Sequence, residues 1–253
     1  MLLIHSEAKL RKKNDKVNTP NTDLNYRYIC LMEFLKNILQ VQFSDNEYIK
    51  EETPKKQIYL HHTAGNSSGA STFRQWDADS RGRIATCVCI SGKGAKEGDG
   101  RIVQGFSSKY WAYHLGAKAA IFEGYDIPYQ RLDKISIGVE ICAWGQLEEK
   151  GGKFYNYVNR EVAKEDVCTL DEPYKRHHHF HRYTDEQIRS VENLLKYWNQ
   201  HYGIPIGYRE ADMWEVSTAA LSGAPGVYTH NSVRKDKIDI FPQPEMIEML
   251  KGL

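Results

Sequence analysis

The pattern of hydrophobic positions predicts strands and helices that alternate along most of the chain. Short runs of apolar and β-branched residues, bounded by glycine or polar turns, are typical of buried strands. Such runs occupy residues 58–62, 84–90, 101–104, 135–144 and 226–230. The segment between the second and third of these runs is charged and rich in glycine, so those two strands are expected to form a hairpin.

Apolar residues at helical spacing predict the longest helix over residues 184–202. Thr184 and Gln187 have the spacing of a capping box at its start, and Gly203 can terminate it. The stripe that should face the core consists of Ile188, Val191, Leu194, Leu195 and Trp198.

Shorter helices are predicted over residues 71–76, with Ser71 as the cap, and over residues 244–250. Strands that interleave with helices, without a long tandem repeat, indicate an α/β fold. We expect a single domain with a central mixed β-sheet flanked by helices, spanning residues 55–253.

Two segments fall outside this regular pattern. Residues 1–54 are predicted to be an N-terminal extension that is polar and partly disordered at its start, with one short helix from Ile29 to Leu39. Residues 145–182 are a polar insertion that ends in the histidine-rich stretch 177–181. We interpret these histidines as part of a solvated loop rather than as a second metal site.

The composition is that of a soluble globular protein, because 41% of the 253 residues are hydrophobic and 26% are charged. With 34 basic and 33 acidic side chains, the net charge of +1 gives no general attraction to nucleic acid or to anionic membranes. No apolar run approaches the ~20 residues that span a bilayer, so membrane insertion is not expected. The first residues lack the apolar region of a secretory signal, which predicts cytoplasmic synthesis without a signal peptide.

The cysteines are predicted to be reduced. Their number is odd, and their spacings fit no disulfide framework. The five are Cys30, Cys87, Cys89, Cys142 and Cys168.

The first segment that can carry chemistry is the strand that ends in His61 and His62. Neighbouring residues of a strand point to opposite faces, so only one of these imidazoles should reach a given metal ion. Taken alone, the pair is more often hydrogen-bonded structure than a metal ligand.

The second segment joins His230, at the end of a strand, to the carboxylates Asp236 and Asp239. Histidine and carboxylate ligands can build a tetrahedral zinc site with one open position. Lys235 and Lys237 are competing cations in the same stretch, which by itself has the character of a polar loop.

The third segment places Glu140 in a strand whose other face is apolar. A carboxylate in such a strand is unusual and requires either a partner or a chemical role. Beside a metal-bound water it is suited to act as a general base. The alternative is an ion pair with a nearby arginine or lysine.

Taken together, five motifs in order resemble the zinc-dependent N-acetylmuramoyl-L-alanine amidase family, which includes phage amidase-type lysozymes, cytoplasmic anhydro-muropeptide amidases and peptidoglycan recognition proteins. The motifs are Leu60-His61-His62-Thr63-Ala64-Gly65, Ala112-Tyr113-His114-Leu115-Gly116, Ser136-Ile137-Gly138-Val139-Glu140, Thr229-His230 and Lys237-Ile238-Asp239. The resemblance covers about residues 55–250, and the region 183–205 is similar to the central helix of the family and its exit.

The resemblance implies a zinc site at the strand ends, with His61, His230 and Asp239 as ligands. It also implies Glu140 as the catalytic base and Lys237 as the cation that faces the developing oxyanion. Candidates for substrate binding are Tyr110, Trp111, His114 and Trp144, although packing in the core explains the aromatic residues equally well.

The chain departs from the family pattern near Thr86 and Cys87, where many members carry a catalytic tyrosine and this chain has none. This departure leaves Glu140 as the base.

The implied activity is hydrolysis, by a zinc-activated water, of the amide bond between N-acetylmuramic acid and L-alanine in peptidoglycan or its fragments. Two alternatives are a peptidoglycan-binding module of the same fold without catalysis, and a hydrolase of another amide. The complete set of ligands together with Glu140 favours the enzyme. Both a phage or prophage lysin released to the cell wall and a cytoplasmic recycling enzyme fit, and the long insertion favours the lysin.

Overall fold

The computed structural model describes residues 38–65 and 67–253. Its strands are β1 (Ile38–Gln40), β2 (Gln57–His62), β3 (Val88–Ile90), β4 (Ile102–Gln104), β5 (Ser136–Ile141), β6 (Glu148–Lys150), β7 (Lys153–Tyr155), β8 (Glu161–Val162), β9 (Val167–Tyr174), β10 (His177–His181) and β11 (Gly226–Thr229). Its helices are α1 (Gly69–Asp77), α2 (Ala119–Glu123), α3 (Leu132–Ile135), α4 (Asp185–Tyr202), α5 (Glu210–Met213), α6 (Thr218–Leu221) and α7 (Pro244–Lys251), with 3-10 turns at Lys164–Asp166 and His230–Ser232.

The central sheet is mixed, as the alternation of strands and helices predicts. Six strands lie in the order β1-β4-β3-β5-β2-β11. Strands β3 and β4 are antiparallel and form the expected hairpin, whereas every other neighbouring pair is parallel. The carboxyl ends of β5, β2 and β11 therefore meet at one edge of the sheet.

The two faces of β2 pack into different apolar layers, because successive side chains of a strand point in opposite directions. Ile58 and Leu60 belong to the larger core cluster, which includes the whole predicted stripe of α4. Tyr59 belongs to a second cluster, with Leu115 and Phe122, on the opposite face. Full burial of an aliphatic side chain stabilises a fold by about 1.5–3 kcal/mol, so both layers contribute to holding β2 in place.

The N-terminal helix was predicted to extend to Leu39, and there the prediction was wrong. Ile38 and Leu39 form strand β1, which pairs in parallel with β4 at the edge of the sheet. Pairing with a distant strand overrides the local helical spacing at these two positions. The rest of the predicted helix, and the predicted disorder, lie outside the described residues.

The insertion 145–182 folds into two small antiparallel sheets, one of strands β6, β7 and β8 and one of β9 and β10. The prediction of a solvated loop at 177–181 was therefore wrong, because this stretch is β10. Phe180 is fully buried and its ring stacks on that of Phe241 at 4.3 Å between centroids. One apolar residue among four histidines is enough to attach the strand to the main core.

Helix α1 begins earlier than predicted, because its cap is Ser68 rather than Ser71. The hydroxyl of Ser68 accepts a hydrogen bond from the Ser71 amide at 3.1 Å.

The four described cysteines, Cys87, Cys89, Cys142 and Cys168, are buried and unbridged. In the part of the chain that the structure describes, no helix combines the length and the apolar character needed to cross a bilayer.

The predicted ends of α4 are confirmed. Thr184 Oγ1 accepts from the Gln187 amide at 3.1 Å, Gln187 Oε1 accepts from the Thr184 amide at 3.1 Å, and Gly203 closes the helix in the left-handed conformation. Both bonds satisfy amides that the helix itself leaves without partners.

Thr184→Ala should lower the free energy of unfolding by about 1 kcal/mol, because it removes the capping hydroxyl. Urea denaturation measures the change, and Thr184→Ser, which keeps a hydroxyl, is the matched control. Equal midpoints for the alanine variant and the unmodified protein would show that the cap does not stabilise α4.

Candidate metal centre

Three parallel strands deliver side chains to one edge of the sheet. Glu140 lies opposite His61 in the register of β5 and β2. Thr229, the last residue of β11, lies opposite Leu60. His230 follows Thr229 directly and so comes beside His61.

The side chains of His61, His230 and Asp239, called here the donor group, converge on a common point. Nδ1 of His61 lies 3.0 Å from Nδ1 of His230 and 3.1 Å from Oδ2 of Asp239, and the remaining side of the triangle is 3.0 Å. A tetrahedral zinc ion with bonds of about 2.0–2.1 Å separates its ligand atoms by about 3.3 Å. The donor group has the composition and spacing that could hold a metal ion.

The hydrogen bonds behind the two imidazoles determine which nitrogen is free. Nε2 of His230 lies 2.9 Å from the carbonyl oxygen of Leu115, which can only accept, so Nδ1 presents its lone pair to the donor group. Nε2 of His61 lies 3.0 Å from Nδ1 of His114, whose own Nε2 lies 2.9 Å from Ser136 Oγ. When the Ser136 hydroxyl accepts from His114 Nε2, a neutral His61 donates through Nε2 and its Nδ1 carries a lone pair.

Burial and charge favour the protonation states that a metal ion requires. Burial, followed by the neighbouring His230, lowers the pKa of His61 to about 4, so this imidazole is neutral at pH 7. Burial alone would raise the pKa of Asp239, but contacts with His230 and His61 outweigh it and hold the pKa well below its usual value. A neutral imidazole and an ionised carboxylate are the forms in which these side chains bind a metal ion.

Glu140 lies on the same face of the sheet as His61 and is 9% exposed. Among the described residues, none donates a hydrogen bond to its Oε2 and none forms an ion pair with it. Burial, with a further contribution from the charge of Asp239, raises its pKa well above the usual value. A buried carboxyl group without a partner is costly, and a strongly shifted pKa in such a group marks a candidate site of proton transfer.

A family model described as N-acetylmuramoyl-L-alanine amidase matches residues 51–243 of this chain. The chain belongs to this amidase family. The resemblance derived from the five sequence motifs is thus confirmed at the level of the family.

Solved structures similar to this amidase-family chain share little sequence with it. A structure of PlyL is 14% identical, covers 85% of this chain and 96% of its own, and has a TM-score of 0.47. The N-acetylmuramoyl-L-alanine amidase LysC from Clostridium intestinale URNW is 15% identical, with 85% and 95% covered and a TM-score of 0.42. Peptidoglycan recognition protein-LE in complex with tracheal cytotoxin is 16% identical, with 86% and 94% covered and a TM-score of 0.44. No curated protein matches the chain.

The structure separates in space the alternative residues that the motifs left open. His62 points away from the donor group, and its Nδ1 lies 2.9 Å from the hydroxyl of Tyr183. Asp236 lies on the surface and pairs with Arg234, whose Nε is 3.0 Å from Oδ1. The structure therefore groups His61 and Asp239, rather than their neighbours, with His230.

Lys237 is half-buried in the segment that precedes Asp239, whereas Lys235 is exposed. Burial dominates the pKa shifts of Glu140 and His61, and the positive charge of Lys237 adds a smaller lowering of both pKa values. Lys237 is therefore the lysine of this segment whose charge acts inside the site.

The proposed substrate-binding side chains have different surroundings. Trp111 is 4% exposed and donates from Nε1 to Glu51, and it lines a small cavity together with Tyr110 and His114. Tyr110 is half-buried and packs on Tyr48. His114 contacts His61, and half-buried Trp144 packs on the exposed Tyr157.

Sequence reasoning missed the role of His114 behind His61, although it found the motif that contains it. One signal was available in Gly138: a Cβ at this position would lie 3.0 Å from the His114 ring and 2.7 Å from Thr86 Cγ2. The hydroxyl of Thr86 donates to the Val88 carbonyl at 3.0 Å.

The histidines of β10 have separate partners. Nδ1 of His179 lies 3.0 Å from Thr169 Oγ1, Nδ1 of His178 lies 3.1 Å from the Leu170 carbonyl oxygen, and Nδ1 of His181 accepts from the Trp144 amide at 3.2 Å. Over residues 38–65 and 67–253, the donor group is the one cluster with metal-ligand composition and spacing.

His61→Ala should abolish stoichiometric zinc binding, and His62→Ala should preserve it. The first change removes a member of the donor group. The second leaves the Tyr183 hydroxyl without its partner and should lower the melting temperature only. Metal analysis after zinc loading and dialysis, with melting curves on the same preparations, separates the two effects. Equal loss of zinc in both variants would contradict the assignment of faces on β2.

Proposed function

We propose that this chain hydrolyses the amide bond between the lactyl group of N-acetylmuramic acid and L-alanine in peptidoglycan or its fragments. The observation that carries the proposal is the convergence of the donor group beside Glu140, in a chain of the N-acetylmuramoyl-L-alanine amidase family.

The donor group is suited to zinc. Two imidazole nitrogens and one carboxylate oxygen are common zinc ligands, and three protein ligands leave the open position that catalytic sites keep. When bound, zinc acts as a Lewis acid and lowers the pKa of a coordinated water toward ~7. The hydrogen bonds to Leu115 and His114 would hold the two imidazoles in the ligating orientation.

Glu140 is proposed to move the proton. Its carboxylate would take a proton from the attacking water and return it to the departing alanine nitrogen, so that the leaving group is a neutral amine. Burial raises its pKa, which favours holding that proton between the two steps. The absence of a described donor at Oε2 leaves this oxygen available.

Lys237 is proposed to stabilise the negative charge that develops on the oxygen of the scissile carbonyl. A preorganised cation in a partly buried site is more effective there than in water, because little solvent screens it. Lys237 is half-buried and close enough to influence Glu140.

A peptidoglycan-binding module without catalysis is the rival function. It would need neither the full donor group nor a buried carboxyl whose Oε2 has no hydrogen-bond partner among the described residues. A hydrolase of another amide would use the same residues, because they specify the attacking water and not the acyl group. Digestion of purified sacculi, followed by mapping of the new amino termini, distinguishes the three. Release of alanine amino termini supports the proposal, and any other terminus contradicts it.

The folded insertion favours a polymeric substrate and therefore the setting of a phage or prophage lysin. Its two small sheets follow β5 directly, at the carboxyl edge of the sheet where the donor group lies. A comparison of turnover on intact sacculi and on soluble muropeptides tests this choice, and preference for the soluble fragments contradicts it.

Glu140→Gln should keep zinc and the fold but lower turnover by about 10²–10⁴, the usual effect of removing a general base. The change is nearly isosteric, and an amide cannot take the proton. Zinc content, melting temperature and sacculus hydrolysis are measured together. Glu47→Gln, which alters a buried carboxyl outside the donor group, is the control and should keep full turnover. Turnover by Glu140→Gln at the unmodified rate would exclude this mechanism.

Lys237→Ala should reduce kcat with zinc retained, because the stabilisation of the oxyanion is lost. Loss of one stabilising donor of this kind reduces kcat by about 10²–10³. The matched control is Lys235→Ala, two residues away and exposed, which should change neither quantity. A similar decrease in both variants would indicate a general effect of charge on substrate association instead.

A further inference from the structure

Asn231 follows His230 directly and is completely buried. Its Nδ2 donates to the main-chain carbonyl of Asp239 at 3.1 Å and to that of Ile240 at 3.2 Å. Its Oδ1 meets no donor among the described residues. In the described structure, the side-chain amide of Asn231 therefore bonds the main-chain carbonyl of Asp239, a member of the donor group, and the carbonyl of the next residue.

The turn that carries Asn231 is itself firmly held. The Thr229 amide donates to Ser232 Oγ at 3.0 Å, and the Ser217 amide donates to the Ser232 carbonyl at 2.9 Å. His230 and Asn231 therefore occupy one rigid 3-10 turn, with one side chain in the donor group and the next in contact with the main chain of Asp239.

The segment between His230 and Asp239 begins with the buried residues Asn231, Ser232 and Val233 and then reaches the surface. Lys235 and Asp236 in it are exposed. For His230 Nδ1 and Asp239 Oδ2 to lie 3.0 Å apart, the two ends of this segment must be held together. The Asn231 amide makes that connection, because it bonds one end of the segment to the other.

We propose that Asn231 is a positioning residue for the metal centre: it holds the main chain at Asp239 so that the carboxylate meets His61 and His230. The inference rests on the proposed function, since it gives the donor group a metal ion to bind. A carboxamide suits the task because it supplies two N–H donors from a single atom. Partners behind metal ligands typically change metal affinity 10–100-fold when they are removed.

The chain beyond Ile240 is anchored without Asn231. Gln243 bonds the main chain of Tyr183 twice, at 2.8 and 3.0 Å, and Phe241 stacks on Tyr183 at 4.8 Å between ring centroids. Loss of Asn231 should therefore leave the core packing intact and release Asp239 alone. The competing possibility is that this anchor already positions Asp239 and makes Asn231 dispensable for the metal.

The test uses the full-length chain and the zinc affinity, measured by competition with a chelator, together with the melting temperature of the metal-free protein. Asn231→Ala should weaken zinc binding about 10–100-fold. Asn156→Ala is the matched control, because Asn156 is also buried and accepts from the amides of Val158 and Arg160 at 3.2 and 2.9 Å in the insertion. It should lower the melting temperature without changing zinc affinity.

A third variant covers the case in which Asn231→Ala does not fold. Asn231→Gln keeps both donors on a longer arm and should show an intermediate loss of zinc affinity. If the unmodified protein binds zinc and the folded Asn231 variants bind it equally well, the positioning role is overturned while the proposed function stands. If the unmodified protein binds no zinc, the proposed function fails first and the positioning role with it.

Discussion

The site depends on the register of three parallel strands. His61, Glu140 and the residue that follows β11 meet because β2 pairs with β5 on one side and with β11 on the other. A slip of one residue in β2 would turn His61 into the core and bring His62 to the donor group. Ile58 and Leu60, both completely buried, oppose such a slip, since it would move them out of the larger core cluster and into the layer that Tyr59 occupies. Core burial and site geometry are therefore set by the same alternation.

The polar residues at this edge of the sheet lie against the apolar core, where burial disfavours their charged forms. His61 is 2% exposed and is kept neutral, whereas Asp239 remains ionised through its contacts with the two histidines. Glu140 is not compensated in this way by any described residue. A fold selected for stability alone would replace a buried, unpaired carboxyl with an apolar side chain. Its presence next to the donor group is the exception to local consistency that is expected at functional sites.

The insertion shows how a polar composition can conceal a folded segment. Cys168 and Leu170 of β9 alternate with exposed positions, and Phe180 of β10 is buried against Phe241. Few apolar residues are needed, because each lies where the small sheet meets the larger core. The same contact connects the insertion with the segment that carries Asp239, because Phe241 lies two residues after that carboxylate.

The sequence by itself determined the features that depend on local periodicity and on neighbouring residues. The capping box of α4, its buried stripe, the hairpin of β3 and β4, and the opposite faces of His61 and His62 all follow from spacings of one to four residues or from short runs. The resemblance to the amidase family added the choice of Asp239 over Asp236, which spacing alone had left open.

Only the tertiary structure decided which distant groups meet. Ile38 and Leu39 pair with β4 instead of continuing a helix. The histidine-rich stretch forms a strand whose Phe180 is buried in the main core. The Leu115 carbonyl that orients His230 is a main-chain atom, which leaves no mark in the residue types. His114 contacts His61, and Asn231 contacts the main chain of Asp239, although neither pair is adjacent along the chain. Such contacts arise from the packing of whole elements, and no local pattern encodes the position of one element against another.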